Sequence, residues 1–369
     1  MNGVPMGADV AESAGTGSGW LRRWARALPL APAAGGSRRI NLALQGGGAH
    51  GAFTWGVLDA LLQDPQLEFE GLSGSSAGAM NAVVLADGWL KGGREGARQA
   101  LSRFWTELGQ QLPWELLARR RGDSVGLLPA TKLLANWAQY FSPAQLNPLD
   151  LNPLRDQLLA QVDFARLRAH SPFKLFIGTT QVNTGKLRVF RESELTVDVL
   201  LASACLPRIH RTVLLDGEPY WDGGYAANPA VYPLFYECGV QDILLVLLNP
   251  LRREDTPQTV AEIEARSAEL AFSANFMREM RMFAQAIQFS VAASGSPGPL
   301  ERRLLEVRFH MIDASKLESL LRSDTKLLAH GGFLQLLHEQ GRERAGAWLR
   351  EHGAAVGRRS SIDVKALFA

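Results

Sequence analysis

Two short stretches of this chain carry residue types and spacings suited to acyl-transfer chemistry. The first is "GLSGSSAGAMNA", in which Gly74-Ser75-Ser76-Ala77-Gly78 reads as G-x-S-x-G. That pattern needs small flanking residues, because its serine sits on a strained strand-to-helix turn with the hydroxyl pushed out above the sheet edge. Glycine on both flanks fixes the frame on Ser76, whereas framing on Ser75 would put Ser73 and Ala77 there. The second is "GGGAHG", residues 46–51, directly behind the apolar run "INLALQ". A serine attacking an acyl carbonyl creates an oxyanion that needs preorganised backbone N–H donors, and glycine lets the backbone come close. Gly47 and Gly48 are the expected donors, near the N-terminus of the helix that follows, whose dipole adds to the effect. Losing one such donor costs about 2.7–4 kcal/mol of barrier.

The glycine stretch has a rival use. A dinucleotide-binding oxidoreductase also places strand, glycine turn and helix in this order, with an acid about 20 residues on, and Glu68 and Glu70 stand near that place. Such a fold gives no reason for a second glycine-flanked serine turn directly behind the acid. A serine hydrolase does.

Positioning these residues requires strands that stop at both turns. "INLALQ" and "FEGLSG" read as short apolar strands, and the segments after them, Gly51 to Leu62 and "AGAMNAVVLADGWL", have helical spacing. "FKLFIGTTQVNTGKLRVF" (173–190) reads as a hairpin turning at Asn183-Thr184-Gly185, and "DILLVLL" (242–248) as a buried strand. Thr259 and Glu262 have capping-box spacing and open a long helix to about Phe289. "GSPGP" breaks the chain, "LLEVRFHMI" (304–312) reads as a late strand, and the tail from Leu317 is helical. Strand–helix alternation with one inserted hairpin argues for an α/β layered domain.

The 369 residues are 46% hydrophobic and 21% charged with a net charge of +2, a balance too even to mark nucleic acid as a partner. Two cysteines, Cys205 and Cys238, make neither a disulfide framework nor a cysteine zinc site. No stretch approaches the roughly 20 apolar residues of a membrane span, and the N-terminal residues do not form a secretory signal, so the expected location is cytoplasmic. "WLRRWARALPL" (20–30) would put Trp20, Trp24 and Leu28 on one helix face. That is either a peripheral membrane contact or a short helix packed on the domain. "ARRRGD" (118–123) reads as either a contact for anionic lipid or an exposed loop. The expected division is an N-terminal segment over 1–37, a hydrolase domain over 38–312 and a helical extension over 313–369.

A serine needs a base, and "YWDGGYAANP" offers Asp222 ahead of Gly223 and Gly224. With that segment the chain resembles the patatin-like phospholipases. The resemblance rests on Gly46-Gly47-Gly48-Ala49-His50-Gly51, on Gly74-Ser75-Ser76-Ala77-Gly78 and on Asp222-Gly223-Gly224, supported by "ASACLP" (202–207) and "TGKLRVF" (184–190) in the family's order. It implies a three-layer α/β sandwich with a mostly parallel sheet between helices. It also implies a lipid acyl hydrolase with Ser76 as nucleophile and Asp222 as proton acceptor. Gly46, Gly47, Gly48 and Gly51 would form the oxyanion loop, Gly74 and Gly78 would shape the nucleophile turn, and Gly223 and Gly224 would support the dyad. The implied partner is a lipid ester, and no metal or organic cofactor is implied. His50 departs from the family, many of whose members have Arg or Lys there.

An ordinary aspartate has a pKa of about 3.9, so Asp222 is expected to be ionised at neutral pH and activity to persist well below pH 6. His50 and His310 offer a triad instead, with the His50 ring expected to point outward. His210 lies near the dyad segment, where packing is the plainer role. Phe276, Met277, Met280, Phe283 and Ile287 on the long helix read as core. The alternative to an enzyme is a lipid-binding module of the same fold without turnover.

Overall fold

In the central strand Arg38–Leu44 (β1), Ile40, Leu42 and Leu44 belong to one hydrophobic cluster and Ala43 to another. The same alternation recurs in Asp242–Leu247 (β9), with Leu244 and Val246 on the first side and Ile243, Leu245 and Leu247 on the second. A strand buried on both faces needs a layer on each side, and this sheet has them. The structure is a computed structural model describing residues 37–111, 118–121, 124–128, 142–292, 295–315, 317–321 and 323–369. Residues 37–369 form one compact unit. The segment "WLRRWARALPL" and the side chains of "ARRRGD" lie outside the described residues.

The eight-stranded sheet also contains Leu67–Ser75 (β2), Lys174–Gln181 (β5), Leu187–Arg191 (β6), Val213–Leu215 (β7), Glu218–Asp222 (β8) and Arg308–Asp313 (β10). Strands β10, β9, β1, β2 and β5 run parallel, while β6 and β8 pair antiparallel with β5, and β7 with β8. A separate ribbon joins Ala118–Arg121 (β3) to Ser124–Leu127 (β4). One face is covered by helices Gly51–Leu62 (α1), Ala77–Gln110 (α2), Pro153–Gln161 (α3), Phe164–His170 (α4), Val197–Ser203 (α5) and, late in the chain, Gly331–His352 (α9). Helices Tyr232–Glu237 (α6), Val260–Ala292 (α7) and Pro299–Glu306 (α8) cover the other. This is the mostly parallel three-layer α/β sandwich.

All twelve residues of α1 are buried, because the sheet lies under it and α9 crosses over it. The crossing is close: a Cβ on Gly56 would lie 2.0 Å from the His338 carbonyl oxygen, and one on Gly341 2.1 Å from that of Phe53. Buried Asp59 ties the layers together, accepting from Arg98 at 2.6 Å, from Arg342, and from His338 at 3.3 Å. Burial pushes its pKa up, but these donors outweigh that and hold it at about 2.

Two elements differ from expectation. Strand β10 begins only at Arg308, because Pro299 at the first helical position starts α8, which buries Leu304. The β7–β8 hairpin was not anticipated. It turns on Asp216 (φ 51°) and Gly217 (φ 82°), an Asp-Gly pair of the kind that favours a two-residue hairpin turn.

Candidate functional site

The register of β5 brings two distant segments together. Strand β6 pairs with Phe176–Thr180, so the partners of those residues in β2 and β8 must lie on the opposite edge. Along that edge β2 pairs up to Ser75↔Gly178, and β8 takes over at Thr179↔Asp222. The end of β2, which carries Ser76, and the end of β8, which carries Asp222, therefore meet at adjacent positions on one strand. The junction is tight. A Cβ on Gly178 would lie 2.7 Å from Ser75 Oγ, and one on Gly223 would lie 2.1 Å from the Gly178 carbonyl oxygen. The Asp222 backbone is pinned on both sides, its N–H donating to Cys205 O at 2.9 Å and its carbonyl accepting from Thr180 Oγ1 at 2.8 Å.

Ser76 sits between β2 and α2 with φ 55° and ψ −125°, a strained conformation for a residue with a Cβ. Its N–H donates to the Ser203 carbonyl at 3.1 Å and to Ser203 Oγ at 3.0 Å, while that hydroxyl donates to Gly178 O at 2.7 Å. The turn is possible only with bare flanks. A Cβ on Gly74 would lie 2.5 Å from the Gly78 carbonyl carbon, and one on Gly78 would lie 2.1 Å from the Leu44 carbonyl oxygen. Ser76 remains half-buried, with its side chain toward Asp222.

Asp222 is 1% exposed. Its Oδ1 accepts from the Gly224 N–H at 2.7 Å, and its Oδ2 has no donor among the described residues. The Ser76 hydroxyl acts on the carboxyl and lowers its pKa. Burial outweighs both the Gly224 amide and Ser76 and pushes the pKa up to about 7. This corrects the expectation of an ordinary, fully ionised aspartate: the burial of the carboxylate was not legible from its neighbours in the chain.

The glycine loop lies at the same end of the sheet. Gly46 is clasped by Asn228, whose Oδ1 accepts from the Gly46 N–H at 2.7 Å and whose Nδ2 donates to the Gly46 carbonyl at 3.3 Å. Gln45 Nε2 donates to Asn228 O, and Gln45 Oε1 accepts from the N–H groups of Leu248 and Asn249. The N–H groups of Gly47, half-buried, and Gly48, exposed, have no acceptor among the described residues. Gly48 has φ +58°, and a Cβ there would lie 2.3 Å from the Lys326 carbonyl oxygen. Gly51 opens α1 against Ala77 and Trp105.

His50 does not point outward. It is fully buried beneath the loop, its Nε2 2.7 Å from Thr325 Oγ1. Burial, assisted by nearby Lys326, holds its pKa well below the usual imidazole range, so the ring is neutral. His310 lies in β10 at the sheet edge, bound to Asp242 at 3.0 Å, with β9 and β1 between it and β2. Neither completes a triad with Ser76 and Asp222. His210 accepts the Leu206 N–H on Nδ1, a packing role. Glu68 and Glu70 stand in the first half of β2, at the opposite end of the sheet from the glycine loop, with Glu70 capping the N–H groups of Gly239 and Val240. Neither of these acids stands where a dinucleotide ribose would need it.

Sequence reasoning passed over Asn228, Gln45 and Ser203, although "ANP" and "ASACLP" contain two of them. A buried amide with both halves satisfied by the backbone of one distant residue leaves no local signal. On α7, Phe276, Met280 and Phe283 are buried and Met277 and Ile287 pack against them, which is core as expected. Phe272, one turn earlier, instead meets Tyr225 in a tilted contact with ring centroids 4.5 Å apart, and Trp221 lies 6.2 Å from Tyr225, giving an aromatic wall beside Asp222.

The sequence profile of the patatin-like phospholipases matches residues 42–235, and the chain belongs to that family, a family of lipid acyl hydrolases. The matched segment runs from β1 to α6 and contains every site residue described above except those supplied by residues 248–249, 272 and 325–326. Among solved structures, a crystal structure of VipD from Legionella pneumophila is similar, with 15% identity over 83% of this chain and 67% of that one and a TM-score of 0.35. No curated protein matches.

Proposed function

We propose that this protein is a serine hydrolase of fatty-acyl carboxylic esters of lipids, such as phospholipids, lysophospholipids or acylglycerols, working through a Ser76–Asp222 dyad. Ser76 attacks the acyl carbonyl while Asp222 takes its proton. The Gly47 and Gly48 N–H groups receive the oxyanion, and the N-terminus of α2 adds its positive end. The alcohol leaves with the proton from Asp222. Water, deprotonated by the same carboxylate, then releases the fatty acid and restores the serine. The raised pKa suits this task, since a base near neutrality accepts a proton more readily than an ordinary aspartate. The aromatic wall of Trp221, Tyr225 and Phe272 is placed to meet the acyl chain.

The observation that carries this reading is the end-to-end meeting of β2 and β8 on β5, which puts a strained serine beside a sealed carboxylate with a free oxygen. The rival reading, a lipid-binding module without turnover, would need no such arrangement. Labelling with a fluorophosphonate probe separates the two: modification of wild type and not of Ser76→Ala is expected. Absence of labelling in folded wild-type protein would favour the binding module. A panel of purified lipids with released fatty acid as readout then fixes the substrate.

A further inference from the structure

Beside the glycine loop, on the side away from Asp222, the C-terminal region contributes a cation that the family-matched segment does not contain. Lys326 lies in a short 3-10 turn, Ser323–Leu327, whose backbone packs directly on Gly48. Its Nζ donates to Asn249 Oδ1 at 2.8 Å. Asn249 follows β9 and is itself held by the Gln45 side chain that fixes the glycine loop. The amine thus stands on the same end of the sheet as Ser76, across the loop from it, and it is only half-buried. An ammonium has three donors, and Asn249 is the single acceptor on this one among the described residues. The neighbouring His50 ring is sealed and neutral and supplies no charge. Burial, assisted by Arg253, lowers the pKa of the amine and the Glu269 carboxylate opposes that shift, while Glu269 is itself bound at 3.0 Å by both Arg253 and Arg266.

We infer that Lys326 is a specificity-determining residue: with Asn249 it forms an anion subsite beside the oxyanion loop, selecting acyl esters whose alcohol portion carries a phosphate or carboxylate. The placement accounts for the charge. An ester carbonyl held over Gly47 and Gly48 with its acyl chain along the aromatic wall directs its alcohol portion to the other side of the loop, where Lys326 stands. This inference rests on the hydrolase reading for the direction of the substrate, although the anion subsite itself has a readout without turnover.

The test compares a monoacylglycerol with the monoacyl glycerol phosphate of the same chain length, both below their aggregation limits. The measurement is the ratio of kcat/KM values for the anionic and neutral esters. In Lys326→Met this ratio is expected to fall about tenfold, through KM, as for loss of one charge-assisted contact, with Lys326→Arg retaining most of it. A ratio moved by less than threefold would overturn the inference, as would an equal loss on both esters. In wild type, rising salt should raise KM for the anionic ester alone, and an unchanged KM would count against the subsite even where the Met variant does not fold. Calorimetric binding of the acyl glycerol phosphate to Ser76→Ala, with and without Lys326→Met, separates this inference from the hydrolase reading. Tighter binding with Lys326 present supports the subsite even in a protein that turns over neither ester. Inorganic phosphate that competes as well as the acyl phosphate would identify a free-anion site and overturn the substrate assignment.

Discussion

Asn228 grips the backbone of Gly46 through both its amide halves, accepting the Gly46 N–H and donating to the Gly46 carbonyl. The clasp fixes the first residue of the glycine loop from a segment six residues past Asp222. The two halves of the proposed site are therefore one hydrogen-bonded unit. In Asn228→Ala both Gly46 groups lose their partner in a buried setting, at about 1–3 kcal/mol each. We expect kcat to fall roughly 10- to 100-fold with KM little changed. Steady-state kinetics on a short-chain ester check this, and a loss confined to KM would contradict it.

The raised pKa of Asp222 fixes a pH dependence. A base must be ionised to accept the serine proton, so kcat/KM should fall tenfold per unit below about pH 7 and level off above it. A profile flat down to pH 5 would show that the seal around the carboxylate opens in solution.

The same group affects stability with the opposite sense. Its folded pKa, about 7, lies above the ordinary aspartate value of 3.8, so the folded state holds this proton to higher pH than the unfolded chain does. Stability is therefore undiminished below about pH 4 and declines as pH rises toward 7. Asp222→Asn should stabilise the protein by about 2–4 kcal/mol at pH 8 and hardly at all at pH 4, although it abolishes the proposed base. Urea unfolding at the two pH values reads this directly.

Gly48 combines a left-handed backbone with contact on the Lys326 carbonyl. Gly48→Ala must move one of the proposed oxyanion donors, and we expect about a 100-fold loss in kcat. A fluorophosphonate labelling rate reduced in parallel, with an unchanged melting temperature, would locate the damage in the loop.

Asp59 has its pKa held near 2 by His338, Arg98 and Arg342 despite burial. The stability it brings is present above 3.8, where an unfolded aspartate ionises, and is lost as pH falls toward 2. Asp59→Asn deprives half-buried Arg98 and Arg342 of their shared counter-charge and should destabilise the fold by about 1–3 kcal/mol at pH 7, measurable by thermal melting, without shifting the pH profile of activity.

What could be read in the chain was what local chemistry encodes. Gly74 and Gly78 frame Ser76 because the turn admits no Cβ, and the apolar run of β1 and the cap at Thr259–Glu262 are local facts. The Asp216-Gly217 hairpin was equally local and was overlooked, although its turn residues stand in plain sequence. The environment of Asp222 was beyond reach for a different reason. Its pKa depends on how β8 abuts β2 along one edge of β5, a relation between segments far apart in the chain. The burial of His50 has the same cause, since Thr325 and Phe333, which contact its ring, arrive from the far end of the sequence.

Helix α1 has no side that faces water, and the roof over it is α9, which lies wholly beyond the family-matched segment. A fragment cut to residues 42–235 would keep Ser76, Asp222 and the glycines yet expose a sheath of Phe, Trp, Val and Leu to solvent. The portion that carries the family's signature is thus not a self-sufficient folding unit here. The tail is the lid of its core, and trimming it would yield aggregates, not a minimal enzyme.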